Sequence, residues 1–415
     1  MQLIKKENLV YWGIVFFFLV EMTNEVDYFF KINLPVLRYS ICSLASYYLI
    51  KGTIFSKNSI ISEYSILIQF VIYFLTCYSL FIILQDVPTI ISPLNNFINL
   101  KKTLSGYLAV YLIPLIVYWR LNLNELEMVG QFTRKIGIFY VVITILLFPF
   151  FTNPIPNEVY GFSGEAVGAV FGSSVSLILL TFPYHNKKTA IIALLSITLA
   201  LIVNAILARR NQVAYFISIF IFTFIINFVY KPKGIKQNKF LINLSIILFL
   251  IIATFLFFSF QSLFSALFER VDEGFDSRED ILNEFVYDFN NKPLDWYLGR
   301  GLFGSFNSVT LGDEMASRDG IENGYYQIIL KGGFLYIGSF MILSLISIFN
   351  GIFNSKNLLS KAFACIVITQ YIEMFGFGLP SLTIKYITFW IAVTAGLSPR
   401  LYKLSDLEIN KIYRL

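Results

Sequence analysis

Histidine occurs once and cysteine three times in 415 residues. The single histidine, His185, stands beside Asn186, Lys187 and Lys188. That excludes a Cys/His metal cluster, and it leaves a histidine-based catalytic triad without a histidine at the opposite face of the molecule. Cys42, Cys77 and Cys365 all fall inside apolar runs and read as small hydrophobes, so no disulfide framework is implied. Charge is also scarce. Charged residues make up 14% of the chain, against about 25% in a water-soluble domain, too little polar surface to keep the chain in water. No small-residue cleavage pattern follows the first apolar run, where the next residues are Thr23, Asn24, Glu25 and Val26, so that run is expected to be retained.

What the chain has instead is apolar length: 57% of its residues are hydrophobic. Runs of bilayer-crossing length, roughly 17–25 residues each, recur from end to end. Lipid forces each to satisfy its own backbone, so they are expected to be helices. The expected spans are 8–22, 34–50, 60–84, 104–119, 136–151, 166–182, 190–208, 213–230, 240–260, 325–349, 362–376 and 382–397. The reading is an all-α polytopic membrane protein of about twelve transmembrane helices, one membrane domain over 1–415 with one long outer loop at 261–324 between the ninth and tenth spans. The half-apolar stretch 87–100, with Pro88 and Pro93, reads as re-entrant or interfacial.

The net charge of +6 lies in short loops between apolar runs, the pattern of membrane orientation and not of a nucleic-acid surface. With the amino terminus inside, 19 of the 32 basic residues fall in cytoplasmic segments, which puts both termini in the cytoplasm. Thirteen of the 26 acidic residues fall in the long loop. There Ser277 followed by Asp280 resembles a capping box. Ile281, Leu282, Phe285, Val286 and Phe289 form an apolar stripe at helical spacing. That stripe suits a helix that packs, one that lies on the membrane surface, or one that covers a cavity.

Four polar groups are candidates for chemistry. Arg209 and Arg210 sit between two apolar runs with almost no loop; they either snorkel at a helix end or bind a diphosphate with forked donors. Arg278, in Ser277-Arg278-Glu279-Asp280, is a second clamp or the partner of its acidic neighbours. Arg300 lies among Gly299, Gly301 and Gly304, a turn-rich segment that lets the backbone come close to a partner. Asn323 is suited to cap the tenth span, which opens with Tyr325, and Glu322 then lies at that helix's entrance, able to take a proton from an attacking hydroxyl or simply to sit on the helix dipole. Arg318 lies just upstream.

These pieces come in an order that resembles the O-antigen polymerase (Wzy) and O-antigen ligase group of surface-polysaccharide proteins. An arginine follows a mid-chain helix, a long outer loop opens with Ser277-Arg278, Pro293-Leu294 precedes the Gly299–Gly304 segment, and Glu322-Asn323 enters a helix carrying Leu330, Gly332 and Gly333. The resemblance implies a glycosyltransferase C-type membrane fold in the bacterial inner membrane and a substrate of sugar repeat units on undecaprenyl diphosphate. It implies neither metal nor cofactor, with membrane lipids around the chain and a chain-length regulator protein as a candidate partner. It assigns Arg210, Arg278 and Glu322 to catalysis and Arg209, Arg300, Arg318, Asn323 and Tyr325 to substrate binding. Ligases of the group carry histidine where this chain has Glu322, which argues for a polymerase, producing O-antigen, capsule or exopolysaccharide, over a ligase. The rival from another class is a lipid-linked oligosaccharide flippase, although the two related halves usual in such transporters are not evident.

Overall fold

The computed structural model describes residues 9–30, 35–54, 63–91, 108–121, 123–152, 167–207, 209–230, 232, 235, 243, 254, 277–309, 317–376 and 383–413. Among them the chain is helical, and the one β feature is an isolated bridge between Phe306 and Arg318. The main helices are α1 (Leu9–Phe30), α2 (Pro35–Thr53), α3 (Ile66–Ile91), α4 (Leu108–Leu112), α5 (Leu123–Thr152), α6 (Ser176–Leu180), α7 (Lys187–Ile206), α8 (Arg210–Ile225), α9 (Ser277–Asn290), α10 (Pro293–Leu298), α11 (Gly324–Phe349), α12 (Leu358–Gly376), α13 (Ile384–Leu397), α14 (Pro399–Tyr402) and α15 (Asp406–Ile412).

Six helices in the described residues are long and apolar enough to cross a membrane: Ile66–Asp86, Leu123–Pro149, Lys187–Ile206, Asn211–Tyr230, Gly324–Asn354 and Leu358–Gly376. Leu9–Thr23 and Ile384–Leu397 are apolar but shorter. The protein is thus a helical membrane protein. Of the span expected at 240–260 all but residues 243 and 254, and of the stretch 87–100 residues 92–100, lie outside the described residues.

Two expected spans are not continuous helices. In 104–119 the α-helix stops after Leu112 and the chain tightens into a 3₁₀ turn, Ile113–Tyr118, at Pro114. In 166–182 a π turn at Gly168–Gly172, the short α6 and a 3₁₀ turn at Phe182–Tyr184 follow one another. Glycines and Pro183 break the hydrogen-bond ladder there, and tertiary packing satisfies the rest: Asn227 donates to the Leu180 carbonyl at 3.1 Å. Conversely α3 runs past its expected end to Ile91, through Pro88, and α5 starts well before residue 136, at Leu123.

The bundle has two ends. At the far end Glu63 pairs with Arg400 at 2.5 Å and Arg120 at 3.8 Å. Buried Asp406, at the start of α15, there accepts from the Tyr184 hydroxyl, from Tyr230 at 3.2 Å and from the Leu358 backbone at 2.8 Å. His185 is half-buried here, its Nε2 2.9 Å from the Thr181 hydroxyl, and desolvation of its ring pushes its pKa down to about 3. At the loop end lie the starts of α8, α11 and α13, the ends of α3 and α12, and the helices α9 and α10. Between the ends an aromatic core of Phe340, Phe389 and Trp390 joins α11 to α13, with ring centroids 5.1–5.5 Å apart. The hydroxyls of Tyr336 and Tyr386 both donate to the Val110 carbonyl, which satisfies a backbone group freed where α4 breaks.

Candidate functional site at the loop end

The last two residues of α12 organise this end. The Asn323 side-chain amide donates to the Phe375 carbonyl at 3.1 Å, and the Asn211 amide donates to the next carbonyl, that of Gly376. Asn211 directly follows Arg210, and Asn323 directly follows Glu322. The starts of α8 and α11 are therefore held against adjacent carbonyls, and Arg209-Arg210 and Glu322-Asn323 come to the same end of the bundle. Asn323 also caps α11 as its sequence suggested, its Oδ1 accepting from the Tyr325 and Tyr326 backbones at 3.0 and 3.3 Å. Glu322 is exposed at the entrance, and Tyr325 is stacked on Tyr371 with its hydroxyl donating to the Tyr371 carbonyl at 2.9 Å.

α13 begins here as well. Thr383 caps it, and the Ile384 backbone donates to buried Glu21 of α1 at 2.7 Å. None of α8, α11 and α13 carries an acid in its first turn, while α8 opens with Arg210 and α13 has Lys385 as its second residue. Helix starts are the positive ends of the backbone dipoles, so cations there are unfavourable unless an anion joins them. Lys385 has one: its ammonium pairs with Glu373, donates to Gln212 at 3.0 Å and lies 4.1 Å from the Tyr215 ring centre. Gln212 and Gln370 complete the cluster by donating to Glu373 at 2.9 and 3.2 Å. Gln212, Gln370, Glu373 and Lys385 are all buried, and they lock α8, α12 and α13 together directly behind Arg210. Sequence reasoning missed this cluster, although Glu373 and Lys385 are charges inside apolar runs, a signal that was there to read.

Arg209 is exposed at the cap of α8, and its backbone donates to the Asn204 carbonyl at 2.9 Å. Arg210 opens α8 and Arg278 is the second residue of α9, but their side chains lie outside the described ones. Arg300 is engaged within the loop. Its guanidinium pairs with Asp288 and with Asp295 at 2.6 Å, donates to the Ser305 carbonyl at 2.7 Å and covers the Phe289 ring at 4.5 Å. It pins α9, α10 and the glycine segment to one another. Arg318 pairs its backbone with Phe306 at 2.8 and 2.9 Å and donates Nε to the Gly320 carbonyl at 3.0 Å. Its Nη1 is buried with no hydrogen-bond partner among the described residues.

The glycine segment and the Gly332-Gly333 pair, read as separate motifs, are one contact. Gly299 and Gly333 both have positive φ, 70° and 64°. A Cβ on Gly333 would lie 2.2 Å from the Tyr297 carbonyl oxygen, and one on Gly299 would lie 2.6 Å from the Gly333 nitrogen. The Arg300 backbone donates to the Leu330 carbonyl at 2.7 Å, and buried Lys331 donates to the Gly304 carbonyl at 2.7 Å. Asp86 at the end of the α3 span accepts from the Leu302 backbone at 2.6 Å. The apolar stripe of α9 packs inward: Phe285 and Phe289 are fully buried against Trp296, Phe306 and Tyr326.

Among the described residues no group of three or more His, Cys, Asp or Glu side chains could hold a metal ion. Comparison of the chain with protein-family models, with characterised proteins and with solved structures finds no match.

Proposed function

We propose that this protein is a metal-independent glycosyltransferase of the O-antigen polymerase type, joining oligosaccharide repeat units carried on undecaprenyl diphosphate at the outer face of the bacterial inner membrane. The observation that carries the reading is the meeting of three helix starts with no acid in their own first turns, of which that of α13 already holds Glu21, with Arg209 and Arg210 on one of the others and Glu322 beside the third. That gathering suits a diphosphate: backbone N–H groups, dipole ends and guanidinium donors all favour a dianionic ligand. The unsatisfied Nη1 of Arg318 adds a cationic donor in the segment that leads into Glu322.

In the proposed reaction the acceptor hydroxyl oxygen attacks the anomeric carbon of the donor sugar. The carbon–oxygen bond to the lipid diphosphate breaks, and the diphosphate leaves with the electron pair. Arg209, Arg210 and Arg278 offset the charge that grows on the leaving group, which is where preorganised electrostatics lower a barrier most. Glu322 takes the hydroxyl proton, and the loop helices select the glycan. With the far end cytoplasmic, the lysines and arginines around Lys187, Lys356, Arg400 and Lys403 obey the positive-inside rule, and both termini are inside.

The test is a gel of surface glycan from cells in which the protein is deleted and replaced. Deletion should leave single repeat units without long chains, and Arg210→Ala at normal protein level should lower chain assembly by about 10²–10³. Loss of all surface glycan, with lipid-linked units trapped inside, means a flippase instead. Wild-type long chains from Arg210→Ala remove the diphosphate role.

A further inference from the structure

The short helix α10 buries none of its residues, yet three of its six are large and apolar on its open side: Leu294, Tyr297 and Leu298 are 71%, 57% and 43% exposed. A surface loop in water has no reason to hold such a group out. Its position explains it. The Leu298 carbonyl accepts from the Tyr78 hydroxyl at 2.7 Å, and Tyr78 is eight residues inside the Asp86 end of the α3 span, about 12 Å along the helix axis. Trp296 stacks on Phe334 at 5.5 Å and Tyr297 meets the same ring edge-on at 6.1 Å. Phe334 is ten residues into the Gly324–Asn354 span, immediately past the kink at Gly333, where the helical geometry is broken. So α10 contacts α3 well inside its span and α11 just past its kink.

The surface around it is of the same kind. Phe81 and Leu84 of α3 and Phe334 and Leu335 of α11 are exposed apolar side chains on membrane spans, so the open face of α10 continues a lipid-facing surface. The chain that follows α10 meets the condition for backbone at that depth, which is that protein must satisfy it. The Leu298 carbonyl is bonded to Tyr78, the Arg300 N–H to Leu330, the Leu302 N–H to Asp86 and the Gly304 carbonyl to Lys331. The indole N–H of Trp296 donates to Asn290 of α9 at 3.1 Å, the amphipathic placement of an interfacial tryptophan.

We infer that the segment from Pro293 to the Gly299–Gly304 turn is a re-entrant interfacial element, with Leu294, Tyr297 and Leu298 immersed in the bilayer. The occupant of this face is lipid, and the polar loop is thereby anchored at headgroup depth between α3 and α11. The experiment uses the full chain with its three cysteines replaced by serine, reconstituted in phospholipid vesicles, with one nitroxide at a time at Leu294→Cys, Tyr297→Cys or the reference Glu279→Cys. Relaxation by oxygen, which concentrates in lipid, should exceed relaxation by a water-soluble nickel chelate at positions 294 and 297, with the order reversed at 279. Nickel access dominating at 294 and 297 overturns the inference, and so does low access to both agents, which means another protein surface covers the face. A cysteine-containing protein serves as the second measurement: brominated lipid should quench a fluorescence component that Trp296→Phe removes, and equal quenching of both proteins also overturns the inference.

Discussion

At the scale of single residues, the buried Glu373–Lys385 pair is the most consequential charge arrangement, because it holds three helices behind Arg210 without facing water itself. A buried pair is costly to break from one side, since the remaining charge keeps its desolvation penalty without its partner. Lys385→Met should therefore destabilise the protein by about 3–5 kcal/mol, and adding Glu373→Gln should recover most of that, because Gln212 and Gln370 can still bond to an amide. Thermal unfolding in detergent reads both steps, and equal stability of single and double variants refutes the coupling. His185 makes a second residue-scale prediction. Its pKa is about 3 in the folded chain because burial disfavours the imidazolium, against about 6.5 unfolded. The neutral form's advantage is complete above the unfolded value and is lost as pH falls below it. The melting temperature should drop on acidification from pH 7.5 to pH 5, and His185→Gln should flatten that part of the profile.

At the scale of elements, long apolar runs identified the helices because lipid leaves the backbone no alternative. Where a run contained glycine or proline, composition could not say whether the helix would continue. Pro114 breaks α4 and Pro183 ends the chain of short turns after α6, yet Pro88 is carried inside α3. At the Pro114 break the freed Val110 carbonyl is satisfied by Tyr336 and Tyr386, partners more than two hundred residues away. The candidate site was legible in a similar way. Asn323 announced its cap locally, and the starts of α8 and α11 could be guessed as functional from their arginines and glutamate. That they meet depends on the Phe375 and Gly376 carbonyls, which no local pattern reveals. The carboxylate partners of Arg300 are local, Asp288 and Asp295 lying twelve and five residues away.

At the scale of the whole molecule, the two ends differ in charge. The far end carries lysine and arginine in short connections, and the loop end carries the acidic loop with its few arginines. Single cysteines at Glu279 and Glu322 should react with an impermeant maleimide from one side of the membrane, and cysteines at Lys356 and Lys403 only from the other. Reaction of 279 and 322 from opposite sides would separate the arginines of the loop from the carboxylate and end the shared-site reading.

The apposition of Gly299 and Gly333 has a genetic corollary. Each hydrogen in place of a side chain faces main-chain atoms of the other strand of the contact: the Tyr297 carbonyl on one side, the Gly332 and Gly333 amides on the other. Main chain cannot be trimmed by mutation. Gly333→Ala, which also forces alanine into a left-handed conformation worth about 1–3 kcal/mol of strain, should thus yield no compensating second-site revertants within this contact. A selection for regained expression would return the original glycine codon, or changes that strengthen the bundle elsewhere.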